Sequence, residues 1–401
     1  MSTSPNRCNR EAIGPPKADR SGDVVSAKPL VWAEIRLDHL VHNLKKIRRR
    51  VGPDAEVLAV VKADAYGHGM VPVARALAAN GVRFFGVVGI DEAVELRRSC
   101  PAARILVLGP FHPARLPAFF KHRIVPTVSS LEDVRAIEAG ARHAAPLRAR
   151  IPVHVKIDTG MGRLGVWHEE TLALFRALGR SKSLVVEGLY THLAQADAEG
   201  HDFTRTQLER FERALGEARA LGLRPEFVHA ANSVGGHRFP YARYNLVRAG
   251  ILLYGLDPSR GRVRGLKPVM SLKARVSFLK DVGPGRPLSY GGTYRTKRRT
   301  RIAVLPVGYS HGYRVGFSNR ARVLIGGRRY PVVGRVTMDQ ILVDVGPGSS
   351  VKRWDTATLL GGDGPGRISA EELAEILKTI PYEVVCSVHS RIPRIYKGFV
   401  L

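Results

Sequence analysis

Cysteine is nearly absent from this 401-residue sequence: Cys8, Cys100 and Cys386 are odd in number and far apart. That spacing makes neither a disulfide framework nor a metal-binding repeat, and it suits a reducing compartment. Long apolar runs are missing as well. None approaches the roughly 18 residues of a membrane-spanning helix. Residues 1–28, rich in Pro, Ser and charge, lack the apolar core of a signal peptide. They read as a disordered extension on a cytoplasmic protein. Acidic residues are also few, with 35 Asp and Glu against 63 Lys and Arg and a formal net charge of +28. The imbalance gathers in residues 257–335, which hold 19 basic and two acidic side chains. Such a field attracts polyanions nonspecifically at low salt. The basic residues nevertheless alternate with Val, Ile and Leu, as on one solvated sheet face. No zinc finger, aromatic RNA-binding signature or basic tail accompanies them, so neither a specific nucleic acid nor a membrane is an expected partner. Ligand pairs at metal-site intervals are missing too, which excludes a metal site from the expectations.

What is present is 44% apolar residues in a chain too long for one ordinary core. Val31–Leu37 alternates like a half-buried strand, and Asp38 follows as a helix cap. Unbroken apolar strands then recur at 57–61, 84–88, 104–108, 124–128, 152–157, 184–190, 226–230 and 244–249. Segments of helical period separate them, among them 71–79, 91–98, 131–139 and 203–221. Eight such alternations predict an α/β fold, a (β/α)8 TIM-type barrel, over residues 29–265. A doubly wound sheet fits less well, because no Gly-x-Gly-x-x-Gly turn follows the first of these strands. Past residue 265 short strands and Gly/Pro turns take over, at 270–279, 301–306, 321–325, 329–336, 340–345 and 357–360. These predict a mostly β C-terminal domain over 266–401, with the chain's first strand packed against it. One helix interrupts it at 369–379, with Ser369 and Glu372 at capping-box spacing.

The stretch from Val57 to Gly69 organises the first domain: five apolar residues, then Lys62, then a glycine-flanked turn. An ammonium ending a buried strand is poorly solvated, so its pKa falls and its amine becomes a usable nucleophile or base. A lysine that snorkels out of a strand end is the plainer reading. A barrel keeps its chemistry at the C-terminal ends of its strands. Those ends hold Lys62 and Tyr66; Lys156, Asp158 and Arg163; Tyr190, His192 and Asp197; Asn232 and Ser233; and Arg248, Gly250 and Ile251. Singly, His192 could be a satisfied buried histidine, Ser233 a helix cap and Tyr66 a packing residue. Together, the hydroxyls of Tyr66 and Ser233 with the N–H groups of Gly250 and Ile251 make an anion cradle. A lysine facing a phosphate site suggests a Schiff base with a phosphorylated aldehyde cofactor.

At these residues the sequence resembles the alanine racemase family. The likeness runs from about residue 31 to 401. Ala59-Val60-Val61-Lys62-Ala63-Asp64-Ala65-Tyr66-Gly67-His68-Gly69 is similar to the family's motif for the lysine that binds pyridoxal 5'-phosphate (PLP). Asp158–Gly165, Val247–Ile251 with Tyr254-Gly255, and Gly334–Gln340 match three further motifs. The resemblance implies PLP as cofactor, held by Lys62 as an aldimine, and a head-to-tail homodimer with shared active sites. It assigns the phosphate to Tyr66, Ser233, Gly250, Ile251 and Tyr382, and the ring oxygen to Arg163. Arg248 would face the pyridine nitrogen, where a donor-only cation leaves that nitrogen unprotonated. Arg163 and Met338, the latter from the partner chain, would bind the substrate. Lys156 matches a position that is carbamylated in many members. Asp197, Tyr309, Arg335 and Ile380 match a narrow substrate entrance.

Racemisation takes the α-proton from one face and returns one to the other, so it needs two bases. By resemblance these are Lys62 and the partner's Tyr290, with His192 and Arg248 as sources of the positive field the tyrosine requires. The implied function is interconversion of L-alanine and D-alanine, with D-alanine supplied to peptidoglycan. The sequence departs from the family at Gly308-Tyr309-Ser310-His311-Gly312-Tyr313, where His311 stands in place of the usual aspartate. A broader-specificity amino-acid racemase of the same fold is the alternative; its periplasmic members carry an export signal. A PLP-dependent decarboxylase would bring a glycine-rich phosphate loop and a cysteine motif in the second domain, and a PLP carrier would lack Tyr290 and Met338.

Overall fold

The computed structural model describes residues 29–398 other than 144–149, 199, 260, 363 and 365. The extension expected over residues 1–28, with Cys8, lies outside the described residues.

Eight parallel strands form the first sheet: β2 (Glu56–Val60), β3 (Phe84–Val87), β4 (Arg104–Val107), β5 (Val125–Val128), β6 (Ile151–Asp158), β8 (Leu184–Tyr190), β9 (Phe227–His229) and β10 (Leu246–Ala249). β7 (Val166–Trp167) is a two-residue strand paired to the end of β6. These segments read as unbroken apolar runs because helices cover one face and the barrel interior the other. β10 pairs with β2, and a single bridge, Asn232 to Arg248, joins the β9 side to β10. The barrel is thus nearly closed, and its strand ends converge on one face.

The second sheet gathers β11 (Met270–Arg275), β12 (Phe278–Val282), β15 (Thr300–Leu305), β16 (Arg322–Ile325), β17 (Arg328–Val333), β18 (Ile341–Asp344), β19 (Thr356–Leu360) and β20 (Arg394–Lys397). β1 (Val31–Arg36) joins it, antiparallel to β11 and parallel to β20. β13 (Pro287–Leu288) and β14 (Tyr294–Arg295) form a separate small hairpin. Alternating residues of β11 and β18 are buried, the period-2 signature of a sheet with one covered face.

Three local expectations change. Asp38 does not cap the first helix, which runs Leu37–Val51 with Arg36 at the N-cap. It is the second residue of the helix and accepts from the Arg36 guanidinium at 2.7 Å, a charge-assisted pair that removes it from capping. The single strand expected at 270–279 breaks at Val276 and Ser277 as the chain passes from β11 to β12, which pair with different neighbours. Ser369, by contrast, is the N-cap of helix Ala370–Leu377, accepting from the Glu372 N–H at 3.1 Å.

The third change concerns the turn after β2. Ala63, Asp64, Ala65 and Tyr66 all have φ between +52° and +55°, one turn of left-handed helix without a glycine. Such residues cost about 1–2 kcal/mol each, so surrounding contacts must hold them. The Ala65 N–H donates to Val61 at 2.9 Å, and Ala63 N–H donates to the Glu92 carboxylate at 2.7 Å. His68 Nδ1 reaches the carbonyls of both Ala65 and Tyr66 at 3.0 Å. From the second domain, Arg394 donates to the Gly67 carbonyl at 3.0 Å. Any Cβ at Gly67 would lie 2.7 Å from the Val385 carbonyl, so helix Pro381–Cys386 packs directly on the turn.

Buried Asn43 ties the two parts together. Its amide donates to Leu253 and Lys267 carbonyls at 3.0 and 2.8 Å and accepts from Lys267 N–H at 2.9 Å. One contiguous hydrophobic core runs through both. Among the described residues, no helix is long and apolar enough to cross a membrane.

Candidate active site

A cavity of about 570 Å³ opens at the C-terminal end of the barrel. Lys62, Tyr66, Lys156, Arg163 and His192 line it from the strands between β2 and β8. Ser233, Arg248, Gly250 and Ile251 come from the β9 and β10 ends, and Tyr382 from the second domain. Ten residues scattered over 320 positions of sequence thus meet, nine of them because parallel strands deliver their ends to one face.

Each wall has its own support. Lys62 begins the left-handed turn, which carries Tyr66 back over the strand end. Asp158 folds the next loop, accepting from the N–H groups of Gly160, Gly162 and Arg163 at 2.9, 3.1 and 3.0 Å. Arg163 is therefore placed by its backbone. Ser233 opens helix Ser233–Arg238 behind the Asn232 cap, and its hydroxyl accepts from the Gly250 N–H at 2.7 Å. Gly250 leaves room for Tyr66, since a Cβ there would stand 2.7 Å from the Tyr66 hydroxyl and push it aside.

The cavity is rich in cations. Burial lowers the Lys62 pKa, and Arg163 and Arg248 add to the effect against the opposing pull of Glu92 and Cys386. Lys156 is brought down to about 8 by burial and by Arg248 and Arg163. Burial, with no carboxylate in contact, lowers even Arg248 to about 10. Its guanidinium instead donates to the Thr191 and Ala230 carbonyls at 2.8 Å and to His229 Nδ1 at 2.9 Å. The Tyr190 ring lies 5.3 Å from Arg248 Cζ and 5.6 Å from Lys156 Nζ, so its π face takes part of the charge.

His192 is not a positive neighbour. Burial and Arg248 hold its pKa well below the usual imidazole value, and its Nδ1 lies 3.1 Å from an arginine nitrogen that can only donate. It is neutral, and the positive field of that wall comes from Arg248.

Several expected residues stay away from this cavity in the single chain. Tyr290, Met338, Tyr309, Arg335, Asp197 and Ile380 are not among its lining. Tyr290 is 71% exposed, at the tip of the β13–β14 hairpin. Four of them lie together, however. Ser289 donates to the Arg335 carbonyl at 2.6 Å, and the Tyr309 and Ser310 N–H groups donate to Thr337 and Met338 carbonyls at 3.0 and 3.1 Å. Tyr290, Arg335, Met338 and Tyr309 hence share one exposed edge of the second domain. His311, the departure in this region, accepts from the Gly308 N–H through Nδ1 at 3.3 Å, the acceptor role a carboxylate would fill.

Sequence reasoning missed His154, Glu187, His229 and Glu92. The first three sit within apolar strands and read as strand filling; only the rarity of His and Glu in such runs marked them. Among the described residues, no three His, Cys, Asp or Glu side chains gather as a metal site.

Comparison with known proteins gives a consistent result. Residues 35–258 match the family model of the alanine racemase N-terminal domain, and residues 269–396 that of the alanine racemase C-terminal domain. Alanine racemase of Carboxydothermus hydrogenoformans is 42% identical over 369 residues, covering 91% of this chain and 99% of its own. That of Symbiobacterium thermophilum is 44% identical over 369 residues, covering 92% and 97%. The crystal structure of alanine racemase from D-cycloserine-producing Streptomyces lavendulae superposes with a TM-score of 0.88 at 34% identity, over 94% of this chain and 99% of that one. Alanine racemase from Bartonella henselae, solved with covalently bound pyridoxal phosphate, gives a TM-score of 0.83 at 29% identity, over 92% and 100%.

Proposed function

The chain belongs to the alanine racemase family and is an isomerase, and from that premise we propose that it interconverts L- and D-alanine with PLP bound in the barrel cavity. The observation that carries the reading is the meeting of Lys62, Arg248 and a glycine-floored hydroxyl cradle around one cavity. Its volume lies within the range of small-molecule sites. The donor set suits PLP. Lys62 offers an amine with lowered pKa, Tyr66, Ser233 and Tyr382 offer hydroxyls, and Gly250 lets backbone approach where a side chain would block it.

In this reading Lys62 would hold the cofactor, and Tyr66, Ser233, Tyr382 and the backbone of Gly250 and Ile251 would hold its phosphate. Arg163 would meet the ring oxygen. Arg248 would meet the ring nitrogen as a donor-only cation, which would leave that nitrogen without a proton of its own. When bound, PLP draws electron density from the substrate's α-carbon and makes its hydrogen acidic. Lys62, freed when the substrate's amine takes its place on the cofactor, would take that proton on one face while the partner's Tyr290 delivers another to the opposite face; the reverse reaction exchanges their roles. The exposed edge bearing Tyr290 and Met338 supports a homodimer in which each cavity is completed by the other chain, Met338 with Arg163 then holding the substrate carboxylate. The remaining edge residues, Tyr309 and Arg335 with Asp197 and Ile380, would frame the entrance.

Lys156 is the proposed carbamate. A lysine brought to about 8 has a reactive share of free amine, and its addition to carbon dioxide, with loss of a proton, would make an anion that relieves the crowding by Arg163 and Arg248. D-alanine for peptidoglycan in the cytoplasm is the proposed use. Racemisation of L- and D-alanine with added PLP, run beside a panel of other amino acids, tests the whole reading. We expect alanine to be turned over fastest, and absence of alanine turnover would overturn it.

A further inference from the structure

A line of buried polar groups leaves the cavity in the direction away from substrate. Arg248 Nη1 is 2.9 Å from His229 Nδ1, and His229 Nε2 is 2.9 Å from His154 Nδ1. His154 Nε2 is 3.1 Å from Glu187 Oε2. The other carboxylate oxygen of Glu187 pairs with Arg104 at 2.9 Å. Both histidines are fully buried, and Glu187 and Arg248 are nearly so. Arg104 begins β4, and its second partner, Glu226 at 3.5 Å, precedes β9. The line therefore runs from the C-terminal face, where the cavity lies, to the opposite mouth of the barrel.

The chain makes room for it. A Cβ at position 188 would fall 2.4 Å from His154 Nδ1, so Gly188 on β8 is open space into which the imidazole fits. The β6–β8 register also shifts between Val153 and His154. Tyr190 stacks on His229 at 4.6 Å, and Phe84 and Phe227 pack on the His154 ring. Among the described residues, Glu187 is the buried carboxylate at the end of this line from Arg248.

We propose that Glu187 is a positioning residue for Arg248, acting through a one-way hydrogen-bond relay of two neutral imidazoles. The direction follows from the ends. Arginine only donates, so His229 Nδ1 must accept and its proton must sit on Nε2. That proton is donated to His154 Nδ1, which places the second proton on His154 Nε2, facing Glu187. The carboxylate only accepts, so it closes the relay with the same polarity. Reversing either ring would set two donors against each other at the arginine, or two lone pairs at the carboxylate. Burial holds both imidazoles below their ordinary pKa; Arg248 adds to it at His229, and at His154 burial with Arg104 and Arg248 outweighs the opposing pull of Glu187, in keeping with their neutral form. The relay is no proton wire, because Arg248 gives up no proton at its cavity end. Its effect is geometric: with Nη1 committed to the ring and carbonyl of His229, and Nη2 shared among the Thr191 and Ala230 carbonyls and His192 Nδ1, the guanidinium keeps one orientation toward the cavity.

The consequence for the cofactor rests on the function proposed above; the tautomers do not. The test uses the full chain labelled with 15N-histidine, with and without added PLP, as wild type, Glu187→Leu and Arg104→Gln. In wild type, long-range 15N–1H spectra should show His154 and His229 neutral with the proton on Nε2. Glu187→Leu should lose that single form and raise the PLP dissociation constant about tenfold, the size of one charge-assisted hydrogen bond. Arg104→Gln keeps the accepting carboxylate and should match wild type in both readouts, which a merely structural plug at the barrel mouth would not. A wild-type His229 that is charged or protonated on Nδ1 overturns the relay. So does a folded Glu187→Leu protein with unchanged tautomers and affinity, or an Arg104→Gln protein with the same losses. If Glu187→Leu does not fold, the wild-type tautomers and Arg104→Gln still decide. Correct tautomers in a wild type that binds no PLP support the relay and overturn the function.

Discussion

Lys62 faces two arginines as well as groups of opposite sign, which is not the usual treatment of a buried lysine. After burial, Arg163 is the largest influence lowering its pKa, ahead of the smaller effect of Arg248, while Glu92 and Cys386 oppose them. A like charge disfavours the ammonium form, so its removal must move the pKa upward. Arg163→Gln is therefore expected to shift the pH at which Lys62 captures added PLP to higher values, read from the absorbance of the adduct against pH. An unchanged or lower midpoint would contradict the assignment. Lys62→Ala should bind no PLP covalently. Gly250 is a steric counterpart: its Cβ position lies 2.7 Å from the Tyr66 hydroxyl. Gly250→Ala overpacks the floor of the cradle by about 1–3 kcal/mol, and should weaken PLP binding by tenfold or so while leaving the fold intact by circular dichroism.

The left-handed turn Ala63–Tyr66 is the element that aims both Lys62 and Tyr66. A motif without glycine inside the turn gives local sequence rules no reason to place four residues at positive φ. The conformation exists because Glu92, His68 and Arg394 hold its backbone, and two of these lie outside the motif. Ala63 is exposed, so its side chain adds strain without packing. Ala63→Gly is accordingly expected to stabilise the protein by about 0.5–1 kcal/mol, the left-handed penalty less the extra entropy of glycine. The midpoint of denaturant unfolding measures it, and a loss of stability would show the turn is not strained there. Ser369→Ala, at a cap readable from sequence, should instead cost about 1 kcal/mol.

At the scale of the whole molecule, one chain holds a nearly complete cavity and, elsewhere, an exposed edge carrying the second proposed base. Mixing inactive Lys62→Ala and Tyr290→Phe chains should restore part of the activity, because hybrid dimers contain one site with both bases. No recovery after demonstrated subunit exchange would argue against a shared site. The charge of +28 belongs to this scale as well. Retention on a polyanion column should fall steeply with salt, as counterion release requires.

The barrel and its strand ends were legible in the sequence, because strands covered on both faces must be unbroken apolar runs and parallel strands must end on one face. Lys62, Arg248 and the Ser233–Gly250 cradle followed from that rule, each being a polar residue at such an end. Three things were decided only by tertiary structure. The handedness of the turn after Lys62 depends on Glu92 and Arg394, which are distant in sequence. The lowered pKa of His192 depends on its burial and then on Arg248, a donor-only group 3.1 Å from its Nδ1. The relay through His229 and His154 depends on the register of β6 with β8 and on the space at Gly188. Periodicity records which face of an element is buried, a property of neighbours along the chain. Hydrogen-bond direction and charge state belong to groups brought together across the barrel, so they are set only when it closes.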